Sequence, residues 1–183
     1  MLGIKLELLP ILVKCNSSGQ FSFLRILSNF HYAHSDMLPE FDGLNDAEIE
    51  LMLKAPILVC ILIAGADGSI DRKEIKEGIS VASKQKKSKS VLAKYFKEVS
   101  TDFEDKVMIL TQSYPFNPQE RNALIVQELA GLNAILPRFP SEFAMAFYEM
   151  LRDLSVRIAE SSGGLLGLRS VGKYPVILVE IGI

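Results

Sequence analysis

Apolar residues recur at helical spacing from about residue 40 to residue 160, and each apolar run is preceded by a helix-start signal. In "SEFAMAFYEMLRDLSVRIAE" (141–160), successive residues advance about 100° around a helix axis. Phe143, Phe147, Met150, Leu151, Leu154 and Ile158 then fall on one core-facing stripe. "ILVCILIAGA" (57–66) is apolar on every face and is predicted to be buried. "ALIVQELAGLNAIL" (123–136) is apolar nearly all round and is predicted to be the central helix.

The start signals are Asn45 with Glu48, Asp71 with Glu74, and Thr101 with Glu104. Asn117 with Pro118 and Glu120 forms another, and Ser141 opens the last long helix. Pro56 predicts a kink or a restart. Period-two alternation is nearly confined to "YPVILVEI" (174–181), so the expected fold is all-α, a single bundle of about seven helices.

A chain of 183 residues with 49% apolar content suits one core. The segment 1–36 differs in character, with Glu7 and Asp36 as its acids and both histidines, His31 and His34. It reads as a targeting segment or as an N-terminal extension, and the second reading sets the helical domain at 37–183. Cys15 and Cys60 lie far apart, a pattern of reduced thiols in a cytoplasmic protein. The net charge of -2 offers no footprint for nucleic acid. Lys84, Lys86, Lys87, Lys89, Lys94 and Lys97 read as a solvated helix end and loop. The longest uncharged stretches, 55–66 and 107–119, are too short for a transmembrane segment.

The helical pattern is interrupted twice in the same way. "IAGADGSI" (63–70) aligns with "IAESSGGL" (158–165), pairing Gly68 with Gly163 at positions where a helix end favours glycine. Duplication of a helix–turn–helix unit accounts for the match, giving two related halves. The first break also has the spacing of half an EF-hand loop. With Gly68 as the turn glycine, Asp67, Asp71 and Glu74 fall at oxygen-ligand positions. Ile63 and Gly65 fill the first two ligand positions, so an isolated site would be weak. The plainer reading is an Asp-Gly turn followed by a capping box. Glu142, Glu149, Asp153 and Glu160 line one face of the last helix, either as a solvated surface or as a further acidic face. Glu128 stands inside an apolar arc, where a carboxylate needs a cation or a paired base, and Arg121 lies two turns away on the same side.

"APILVCILIAGADGSIDRKEI" (55–75) followed by "RIAESSGGLLG" (157–167) resembles the TerB-like family of tellurite-resistance proteins. Its relatives include a domain of a membrane-anchored DnaJ-type co-chaperone. The resemblance spans roughly 40–170 and rests most on Ala66, Asp67, Gly68, Ile70 and Glu74. It implies about seven helices in two related halves, acids clustered where the breaks meet, and a metal-binding or assembly role in stress response. Ser162 and Arg169 replace the acids expected in the second half, which argues against two symmetric sites. One asymmetric site remains, with Asp67, Asp71, Glu74 and Glu160 as ligands for calcium or magnesium. No nucleophile–base grouping or phosphate-cradling loop is visible, so a non-enzymatic module that docks to other proteins is expected. The alternative is a metal-free scaffold with an acidic surface. Membrane-surface attachment through 1–30 and the lysine run is the weakest reading, because the acids of 36–50 oppose it.

Overall fold

The computed structural model describes residues 38–65, Ile70 and 72–161. The chain divides into units 1–32 and 33–183, and every described residue belongs to the second. Among the described residues the fold is all-α. Its helices are α1 (Asp46–Ala64), α2 (Arg72–Lys86), α3 (Ala93–Val99), α4 (Phe103–Ser113), α5 (Pro118–Leu129), α6 (Leu132–Ile135, a single turn) and α7 (Ser141–Ser161). The "YPVILVEI" tail and the break glycines Gly68 and Gly163 lie outside the described residues.

The central helix is α1, and not the 123–136 segment. Every residue from Met52 to Ala64 is buried, and α2, α3, α4, α5, α6 and α7 all pack on it. The 123–136 segment instead divides at Ala130 and Gly131 into α5 and α6, leaving Leu124 exposed. Its apolar content exceeds what one buried stripe requires, and the surplus faces outward.

The Asn45–Glu48 capping box forms in both directions, at 3.0 and 2.9 Å. Asn117 likewise accepts from Gln119 and Glu120, with Pro118 in the first turn of α5. Thr101, in contrast, caps nothing. Its hydroxyl donates backward to the Lys97 carbonyl at the end of α3. The chain then passes through Asp102 in a left-handed conformation before α4 starts.

Pro56 neither restarts nor interrupts α1. A proline has no N–H, so the carbonyl four residues earlier, on Met52, loses its normal helical donor. The Tyr95 hydroxyl from α3 donates to that carbonyl at 2.7 Å, fully inside the core. A tertiary hydrogen bond thus replaces the helical one.

Tyr95 also belongs to an aromatic cluster with Phe41, Phe96, Phe139, Phe143 and Phe147. Its edge-to-face contacts include Tyr95–Phe147 at 5.4 Å and Phe41–Phe139 at 5.8 Å. Such pairs contribute about 0.5–1.5 kcal/mol each beyond area burial. Toward the other end, a Cβ on Gly78 of α2 would meet the Cys60 Sγ at 2.8 Å and the Ile158 Cδ1 at 3.5 Å. Because Tyr95 joins the earlier parts of α1 and α7, and Gly78 joins their later parts, the two helices run in the same direction. Their C-terminal ends therefore arrive at the same end of the bundle, beside the start of α2.

Candidate functional site

The end at which α1 and α7 stop carries the candidate site. The last turn of any helix leaves carbonyls without helical donors and a partial negative charge. Arg121, held in α5 by the Asn117 cap one turn earlier, answers both at the end of α1. Its Nη2 donates to the Gly65 carbonyl at 2.6 Å, and the residue is only 5% exposed. A Cβ on Gly65 would collide with that guanidinium, so the close approach depends on glycine. Arg121 therefore holds the end of α1 and does not reach along α5 to Glu128.

Glu74 stands in the first turn of α2 and is 8% exposed. Its charge is felt by Cys60, whose thiol is pushed up to about 12 by burial first and by Glu74 second. A thiol held that far above neutrality stays protonated and is unsuited to nucleophilic attack. Asp67 and Asp71 lie outside the described residues. Glu160 is exposed, whereas Ile158 and Ala159 beside it face inward. Two residues amount to about 200° of rotation, so Glu160 leaves α7 on the side opposite Ile158. The described residues thus take Glu74 into the end of the bundle and leave Glu160 at its rim. No group of three or more His, Cys, Asp or Glu able to hold a metal occurs among them.

Glu149 is exposed, and Asp153 pairs with Arg157 at 2.8 Å on the surface of α7. Glu128 is part of a separate, half-buried network. It accepts from the Lys54 Nζ at 2.5 Å and from the Tyr114 hydroxyl, and Lys54 also reaches Glu50 at 3.3 Å. Burial and the neighbouring Glu128 carboxylate raise the Tyr114 hydroxyl well above its ordinary range. The sequence signal for Lys54 was its place at the head of an all-apolar run. Opposite charges set singly in apolar surroundings, such as Lys54 and Glu128, imply each other.

No family model, curated protein or solved structure matches this chain. The chemistry of the site is therefore read from its own side chains. An arginine closes the end of α1 and a withdrawn carboxylate opens α2. Among the described residues, no helix is long and apolar enough to cross a membrane.

Proposed function

We propose that this chain is a non-catalytic helical module of TerB-like type, acting in stress response by docking to other proteins, with a weak calcium or magnesium site at the first break. The observation that carries the reading is Glu74. It is a carboxylate withdrawn from water at the end where α1 and α7 finish and the acidic break begins. A carboxylate at that place supplies one oxygen ligand for a hard cation, and in this reading Asp67, Asp71 and, from the rim of α7, Glu160 are the further ligands. Phe116 supports the docking role. It is 101% exposed, between Tyr114, anchored on Glu128, and Asn117, anchored as the cap of α5. An exposed aromatic ring is the kind of side chain that is enriched at protein interfaces.

The test is thermal unfolding of the full chain in chelator and in millimolar calcium or magnesium. Cation at tenfold its dissociation constant adds about 1.4 kcal/mol of stability and raises the melting temperature. Glu74→Gln removes that rise while the metal-free protein stays folded. A second reading, the metal-free scaffold, is favoured by Arg121, which already brings a buried cationic group to the same break. Equal melting temperatures with and without cation refute the metal site and leave this reading.

A further inference from the structure

Charge is distributed very unevenly along this chain. Residues 72–97 hold nine basic residues against two acidic ones, a net charge of +7, so the rest of the chain carries -9 of the total of -2. The fold sharpens this asymmetry. Arg72, Lys73, Lys76, Lys84 and Lys86 on α2 are all exposed, as are Lys87 and Lys89 in the turn and Lys94 and Lys97 on α3. The two acids are held back, with Glu74 buried and Glu77 half-buried. On α2 the five exposed basic residues occupy an arc of about 160°. They run along a helix whose 15 residues span about 22 Å. A lysine run that reads locally as a solvated helix end is therefore part of a longer face from which negative charge has been withdrawn.

From this geometry we propose that the exposed face of α2, with the turn leading into α3, binds the surface of membranes rich in anionic lipid. Three observations favour a lipid surface over other polyanions. Eight of the nine basic residues are lysines, point charges suited to diffuse attraction and not to planar, two-pronged recognition. The aromatic residues of this stretch, Tyr95 and Phe96, are buried and unavailable for stacking on bases. Val91, 40% exposed, stands in the turn between Lys89 and Lys94, where an apolar side chain can enter the headgroup layer. Clusters of four to eight basic residues on a helix have the charge needed to attach to anionic leaflets.

The experiment is flotation of the full chain with phosphatidylcholine vesicles, with and without phosphatidylserine. Binding is expected only to the anionic vesicles, and it weakens as salt shortens the screening length from about 10 Å at 0.1 M to about 3 Å at 1 M. Lys84→Gln, Lys86→Gln and Lys87→Gln together lower partitioning about a hundredfold, at roughly 1 kcal/mol for each lysine. All three are exposed, and circular dichroism checks that the fold persists. The chain contains no tryptophan, so Val91→Trp gives a single probe whose emission shifts to the blue on anionic vesicles. No binding at low salt, equal binding to both vesicle types, or a triple variant that binds like the parent overturns the proposal. So does tight lysine-dependent binding to single-stranded RNA or an acidic peptide without binding to vesicles.

Discussion

The hydrogen bond from Tyr95 to the Met52 carbonyl exists to be needed only because residue 56 is proline, and this dependence can be measured. Tyr95→Phe removes one oxygen and keeps the ring against Phe41, Phe96 and Phe147. What changes is the Met52 carbonyl, which loses its 2.7 Å donor in a region with 0% exposure at both residues. A buried acceptor left without its partner costs about 1–3 kcal/mol. Pro56→Ala restores an N–H four residues along the helix, so the same carbonyl then has a donor of its own. In that background, deleting the hydroxyl removes a surplus bond and costs about 0.5–1 kcal/mol. The expected coupling between the two substitutions is therefore on the order of 1 kcal/mol. Urea unfolding of the four proteins, followed by circular dichroism, measures it as shifts in midpoint at constant slope. If Tyr95→Phe costs the same in both backgrounds to within about 0.5 kcal/mol, the proposed compensation for Pro56 is wrong.

Two further outcomes follow from buried ionisable groups. Burial raises Cys60 from 9.0 to about 12 and raises Tyr95 above 10.0. The folded chain then holds protons that the unfolded chain has released, so stability present below pH 9 declines as pH rises. Between pH 9 and 12, Cys60 alone contributes a slope of about 1.4 kcal/mol per pH unit, and Cys60→Ala flattens the lower part of the decline in alkaline urea titrations. A stability profile that is level from pH 8 to 12 is incompatible with this assignment. At the other network, Lys54→Met removes an ammonium whose side chain is 8% exposed and leaves Glu50 and Glu128, 32% and 31% exposed, to be hydrated, so its cost is the smaller of the two. Glu128→Gln leaves that ammonium with a weaker partner and lowers stability by roughly 1–3 kcal/mol, discounted for the 31% exposure of Glu128. Comparison of the two denaturation midpoints decides it, and a larger loss for Lys54→Met reverses the reading.

Local rules made the helices legible in the sequence. The Asn45–Glu48 box, the Asn117–Pro118 start and the buried stripe from Phe143 to Ile158 depend on contacts within a few residues, and all are present in the fold. The all-face apolar run before Gly65 likewise marked a buried helix, because no orientation of it leaves an apolar face out of the protein. Thr101 failed as a cap for the opposite reason. Its spacing to Glu104 is correct, but its hydroxyl found a nearer acceptor at the end of α3.

Ion-pair partners depended on packing. Arg121 and Glu128 share a side of α5, and their spacing suggested a pair. The antiparallel packing of α5 on α1 instead gives each a partner on α1, Gly65 for Arg121 and Lys54 for Glu128. Composition showed that the chain is rich in lysine. Only the fold buried Glu74, half-buried Glu77 and turned the basic residues of 72–97 to solvent, because the direction a charge faces is set by what packs on the other side of its helix.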